Sequence, residues 1–224
     1  MIKVHYLGDS RAHRILWLLE ELSVDYDVVV YKRGPDYLAP ASLKAIHPLG
    51  KSPIIEDGDL LLAESGAIID YLVERYGKDA GLKPDTASAS YWRYNYWLHY
   101  CEGSAMPLVT NKLLFELLPS KTPFFVRPIA KLICKGVMQK LIDPAFKDHI
   151  THWNKELCRD GWFACGDFSA ADIAMSFVVE AAVERFEIDL DIGAVRQFID
   201  RIRTRPAYQC AVERGGIYRL ANSK

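Results

Sequence analysis

"IKVHYLGDSRAHRILWLLEELSVDYDVVVY" occupies residues 2–31, and its reading decides the fold. At its start, Val4 and Tyr6 alternate with Lys3 and His5, which is the period of a half-buried strand. Residues 10–22 then place Ile15, Leu18, Leu19 and Leu22 on one helical stripe. Residues 25–31, DYDVVVY, return to β-branched strand chemistry. A strand, a helix and a strand in about 30 residues make a βαβ unit, with two parallel strands and a right-handed crossover.

The same stretch poses a chemical question. Ser10 and Arg11 stand at the mouth of the apolar helix. A serine there can simply cap the helix. It can also present a hydroxyl where unpaired N–H groups and the helix dipole favour an anion. Tyr6, four residues earlier, is a competing hydroxyl, although its strand position reads more simply as core.

Beyond residue 31 the chain is irregular through Gly34-Pro35 and Pro40, and "SLKAIHPLG" holds a short helix closed by Pro48. Ile54-Ile55 and Leu60-Leu61-Leu62 flank Asp57-Gly58, a dipeptide suited to a tight hairpin. Residues 64–76 carry Ile68, Ile69, Leu72 and Val73 at helical spacing, and Gly77 is placed to end that helix. The order is β-α-β-(α)-β-β-α. Residues 78–86, rich in Gly, Lys, Asp and Pro, read as a linker.

No strand is expected from residue 87 onward. "YWRYNYWLHYCEGSAMPLVTNKLLFELL" reads as a long aromatic helix bent near Pro107, interrupted after it by "PSKTP". Asp143-Pro144 reads as an N-cap followed by proline at the first helical position. "FSAADIAMSFVVEAAVERF" is the clearest helix start. Ser169 is the cap, Asp172 reaches back to it, and Phe168 and Ile173 sit at the two positions of a hydrophobic staple. The nearly unbroken apolar run that follows marks a central, buried helix. Pro206 opens a last short helix ending at Gly215-Gly216. The expected fold class is therefore α/β plus all-α: an α/β domain over 1–77, a linker over 78–86 and an all-helical domain over 87–224.

The 224 residues carry a net charge of −1 and are half apolar, so a core is available and no basic face for nucleic acid stands out. No apolar run reaches the roughly 18 residues of a membrane span, so no membrane is expected. Met1-Ile-Lys-Val-His-Tyr reads as a first strand and not as a basic-then-apolar leader. The five cysteines, Cys101, Cys134, Cys158, Cys165 and Cys210, form no CxxC pair, which fits reduced thiols in the cytoplasm and no metal site.

Four motifs in this order resemble the soluble glutathione transferases, specifically bacterial and fungal members that use serine. They are SRAHRILWLLEEL, HPLGKSPII, LLAESGAIIDYLVERYG and FSAADIAMSF. The resemblance spans essentially the whole chain. It implies a thioredoxin-like N-terminal domain that binds glutathione as co-substrate, with no permanently bound cofactor, followed by an all-helical domain. It implies that Ser10 holds the glutathione thiolate and that Ser52-Pro53, joined by a cis bond, pairs its backbone with the cysteinyl part. Lys51 would reach the glycyl carboxylate, and Glu64-Ser65 the γ-glutamyl end. The family more often has an apolar residue where this chain has Ser52, a departure that backbone pairing tolerates. A small hydrophobic electrophile would lie against the aromatic helix, with Trp97, Tyr100, Met106 and Phe115, then Phe124 and Phe125, as candidates. The resemblance also implies a homodimer. The activity is expected to be thiolate attack on an electrophilic carbon or a peroxide. Alternatives are a non-catalytic binding or regulatory protein, or a glutathione-dependent isomerase or dehalogenase, on the same fold.

Overall fold

The computed structural model describes residues 1–34, 38–164, 166–216 and 218–221; Pro35 and Cys165 lie outside the described residues. The N-terminal part is built from β1 (Ile2–Leu7), α1 (His13–Glu21), β2 (Tyr26–Tyr31), α2 (Ala41–Ile46), β3 (Ile54–Asp57), β4 (Leu60–Ala63) and α3 (Ser65–Tyr76). Its strands form one sheet in the order β2-β1-β3-β4. β1 runs parallel to β2, with Ile2 opposite Tyr26 and Leu7 opposite Tyr31. β3 runs antiparallel to β1, and β4 antiparallel to β3. This is a thioredoxin-like sheet, and the period-2 pattern of β1 sets its two faces. Val4 and Tyr6 enter the main core, while Leu7 joins a smaller cluster with Leu43 and Ile54.

The rest is helical: α4 (Ala89–Tyr100), α5 (Met106–Lys121), α6 (Arg127–Val137), α7 (Asp143–Asp160), α8 (Ala170–Arg185), α9 (Gly193–Arg203) and α10 (Pro206–Gly215). α8 is the axis of this domain, with every residue from Ala170 to Ala182 buried. α1 packs on α8 and α10, so the two parts share one continuous core.

Several local expectations shift. The first helix begins at His13, not Ser10, because residues 10–12 form a tighter turn in which the Arg14 N–H reaches the Arg11 carbonyl at 3.2 Å. The hairpin turns at Gly58-Asp59, one residue later than expected, with Gly58 at φ +59°. Pro107 lies in the first turn of α5. The irregularity before it is a π-helical turn over Cys101–Ala105. That widened turn lets two successive side chains meet buried Arg14. Arg14 donates to Cys101 Sγ at 3.2 Å and to Glu102 Oε1 at 2.6 Å. Pro119 does not break α5 but sits in its last turn. Asp143 is not a cap; Ile142 holds that place, and the Asp143 carboxylate accepts from Lys112 Nζ at 2.6 Å. α9 was not legible as a separate helix.

α10 closes against β1 and α1 at one tight point. A Cβ on Gly215 would stand 2.9 Å from Leu16 Cδ1 and 3.1 Å from the Tyr6 ring. Gly215→Ala is therefore expected to destabilise the protein by about 1–3 kcal/mol through overpacking. A thermal melt of the variant tests this, and a melt like the parent's would show that the contact relaxes freely.

Candidate active site

A cleft of about 350 Å³ opens at the C-terminal end of β1, between the sheet and the helical domain. The end of β1 delivers Leu7, and the turn after it Asp9, Ser10 and Arg11. The loop before β3 delivers Lys51, Ser52 and Pro53, and the start of α3 delivers Glu64 and Ser65. Met106 of α5 and Phe177 of α8 form the wall from the helical side.

Ser10 is 6% exposed, and its oxygen accepts the Ala12 N–H at 3.2 Å. Its own proton points to Ser52 Oγ at 3.4 Å. That separation far exceeds the usual O–H···O distance of about 2.7–2.8 Å. Ser52, by contrast, is fully engaged. Its hydroxyl donates to the His5 carbonyl at 2.8 Å and accepts the Leu7 N–H at 3.1 Å. The side chain that departs from an apolar residue thus ties the proline loop to β1. The Ser52–Pro53 peptide is cis. Of the two serines, Ser10 holds the loosely committed proton.

Tyr6 sits elsewhere. It is fully buried, its ring faces Gly215, and it does not line the cleft. Burial, reinforced by the Asp9 charge, pushes its phenol well above the ordinary range. Such a group is a poor partner for an anion in the cleft.

At the other end, Ser65 is the first residue of α3 and is 3% exposed. Glu64 precedes it at φ +75°, a conformation costly for a residue with a side chain. It exposes its carboxylate in the cleft while its carbonyl accepts the Ile68 N–H at 2.9 Å. The first N–H groups of α3 are therefore offered beside the Ser65 hydroxyl, an arrangement suited to a carboxylate.

The cations differ in how they are held. Arg11 lines the cleft but donates to Glu102 at 2.6 Å, and Glu102 also receives Arg14. Burial opposes the Glu102 charge, but Arg14 and Arg11 outweigh it and hold its pKa below the ordinary value. Arg33 lines the cleft and donates to the Gly8 carbonyl at 3.3 Å. Lys51 is exposed at the rim and forms no ion pair among the described residues.

The structure thus brings together Ser10, Lys51, Ser52, Pro53, Glu64, Ser65 and Met106. It does not bring Trp97, Tyr100 or Phe115 to the cleft. Trp97 is buried in the core, stacked on His152 and tilted on Phe163. The Tyr100 hydroxyl is occupied by His149 and Trp153. Phe115 is half-buried on α5 without touching the cleft, and Phe124 and Phe125 are exposed beyond it. Phe177, Arg33 and His47 line the cleft and were not read from the sequence. Phe177 is one apolar residue in a mostly apolar run, and only its packing distinguishes it. No cysteine lines the cleft among the described residues, and none of their His, Cys, Asp and Glu groups could hold a metal.

Residues 1–74 match the family described as Glutathione S-transferase, N-terminal domain. The chain is 34% identical over 223 residues to Glutathione S-transferase 1 of Saccharomyces cerevisiae, covering 96% of this chain and 95% of that protein. It is 33% identical over 215 residues to Glutathione S-transferase 3 of Schizosaccharomyces pombe, covering 96% and 88%. A solved glutathione S-transferase structure from Actinobacillus pleuropneumoniae superposes with a TM-score of 0.78 at 30% identity, over 100% of this chain and 97% of that one.

Proposed function

The chain belongs to the glutathione S-transferase family, and from that premise we propose that it binds glutathione in the cleft between β1, the Ser52-Pro53 loop and α3 and activates its thiol through Ser10. The observation that carries this reading is the loosely held Ser10 proton beside a cleft that has the start of α3 at its other end.

In this reading the γ-glutamyl carboxylate meets the Ser65 hydroxyl and the N-terminus of α3, while Glu64 attracts the α-amino group. Ser52, held by β1, offers its backbone to the cysteinyl unit, and Lys51 faces the glycyl carboxylate. The sulfur then lies near Ser10. A free thiol has a pKa of about 8.5. A hydroxyl donating to sulfur favours the thiolate, and the released proton passes to solvent. The thiolate attacks an electrophilic carbon, a C–S bond forms, and the leaving group departs with its electron pair. Met106 and Phe177 give the electrophile an apolar wall. The lack of a cysteine in the described lining disfavours chemistry through a mixed disulfide between protein and glutathione. Cys101 is no substitute. Burial pushes its thiol up to about 12, and it donates to the Ala174 carbonyl at 3.0 Å. The family resemblance further supports a cytoplasmic homodimer of two domains, 1–77 and 87–224.

Calorimetry on Ser65→Ala tests the anchor. A charge-assisted hydrogen bond contributes about 1.5–3 kcal/mol, so glutathione affinity should fall about tenfold or more. Parental affinity would show that the γ-glutamyl end binds elsewhere.

A further inference from the structure

Ser10 follows Asp9, and Asp9 is held from far along the chain. It stands at φ +52°, a region costly for most residues that aspartate tolerates better than most. Asp9 lines the cleft, yet both of its carboxylate oxygens are taken by a residue 210 positions away. The Arg219 N–H donates to Oδ1 at 2.9 Å, and the Arg219 guanidinium pairs through Nε with Oδ2 at 2.9 Å. Among the described residues the Asp9 carboxylate makes no hydrogen bond within its own turn. The turn's own bonds are long: the Ser10 carbonyl accepts the His13 N–H at 3.4 Å, beyond the usual range for N–H···O. Rotation about the Asp9 backbone would swing Ser10 with it.

The segment that supplies Arg219 follows α10 and forms a 3₁₀ turn over Arg219–Ala221. It is anchored on both sides of the arginine. Tyr218 is 1% exposed, its ring stacks on His13 at 4.0 Å, and its hydroxyl donates to Glu180 at 2.7 Å. The Leu220 carbonyl accepts from Arg203, which also donates to Glu180 at 3.0 Å. Arg219 is therefore braced against the buried face of α8, while its own side chain is 79% exposed and does not line the cleft. The other nearby cations do not clasp Asp9. Arg33 donates to the Gly8 carbonyl at 3.3 Å, and Arg185, at the end of α8, feels the carboxylate only at longer range.

We propose that Arg219 is a positioning residue: by clasping Asp9 it fixes the turn, and with it the direction from which the Ser10 hydroxyl meets the glutathione sulfur. This inference rests on the reading that Ser10 holds the thiolate. It gives the segment after α10 a part in the reaction without any contact with the reacting atoms.

The test is Arg219→Gln in the full chain, with chlorodinitrobenzene as the probe electrophile and the thiolate absorbance of bound glutathione followed against pH. The thiolate midpoint should rise by about half a unit and kcat should fall about threefold to fivefold, the scale of an exposed ion pair. KM for glutathione should stay within about twofold, because Ser65 and Lys51 are untouched. The melt should be parental, since exposed pairs add little to stability. Arg219→Lys, which keeps the charge, should recover most of the loss. In a Ser10→Ala background, Arg219→Gln should move neither readout further, because its effect passes through Ser10. An equal additional shift in that background would overturn the proposal, since the charge alone would then be acting. An impaired Ser10→Ala beside a parental Arg219→Gln would overturn this inference alone. An unimpaired Ser10→Ala would overturn the reading of the site and this inference with it.

Discussion

Replacing Ser10 by alanine is expected to cut glutathione-dependent turnover by about 10²-fold or more, the usual loss when one donor to a stored or developing anion is removed. Glutathione affinity should stay nearly intact, because Ser65, Lys51 and the Ser52 backbone are untouched. The Ser10 oxygen also accepts the Ala12 N–H at 3.2 Å. Losing that bond costs about 0.5–1.5 kcal/mol, too little to unfold the chain. Thiolate absorbance of bound glutathione, followed against pH, separates the two effects. In the variant its midpoint should move up by a unit or more, since one unit is about 1.4 kcal/mol. Unchanged turnover and midpoint would reduce Ser10 to a turn-forming residue. Tyr6→Phe should leave both readouts unchanged, because the phenol faces Gly215 and not the cleft.

Asp172→Ala is expected to lower stability by about 3–5 kcal/mol, because three buried donors lose one acceptor and each unsatisfied group costs about 1–3 kcal/mol. Those donors are the Phe163 N–H at 2.8 Å, the Ser169 N–H at 2.9 Å and the Ser169 hydroxyl at 2.9 Å. Against a total of about 5–15 kcal/mol, the melting temperature should fall on the order of 10 °C. Ser169→Ala should cost less, about 0.5–2 kcal/mol. The effect depends on pH. Burial pushes the Asp172 carboxyl up to about 6, against the upward limit its hydrogen bonds impose. The folded state therefore holds this proton more tightly than the unfolded chain. The group's stabilising contribution is full below its unfolded pKa of about 3.8 and declines as pH rises through about 6. The deficit of Asp172→Ala should accordingly be larger at about pH 5 than at about pH 7. Glutathione affinity of the folded fraction should be near normal. A variant that melts like the parent yet fails to bind would place this capping box at the site.

The separation between cap and cleft is less complete than the sequence suggests. Phe177 stands eight residues beyond Ser169 on the same helix and lines the cleft. A frayed start of α8 would loosen the electrophile wall before it disturbed the residues around Ser10.

Features that depend on neighbours in sequence were legible: the strand–helix–strand unit, the hairpin and the Ser169–Asp172 box. Each follows from side-chain periodicity, turn chemistry or a hydrogen bond spanning three residues, and none requires knowledge of the packed chain. The same local logic placed Ser10 just before α1 and Ser65 at the start of α3, whereas the place of Ser52 followed from the family resemblance. The aromatic helix defeated it. Trp97, Tyr100 and Phe115 have the composition of a pocket, but helical periodicity does not say what covers each face. Packing against α7 gives Trp97 to His152 and Tyr100 to His149 and Trp153, while α8 turns Phe177 toward the cleft. The π-helical turn before Met106 was hidden for the same reason. It forms where two successive residues meet Arg14, which lies 87 positions before Cys101. The sequence by itself determined the order of elements in the N-terminal part and the Ser169–Asp172 box, because these rest on local backbone chemistry. Only the tertiary structure decided which hydroxyl, cation and aromatic ring share the cleft, because that depends on helices distant in sequence packing into one core.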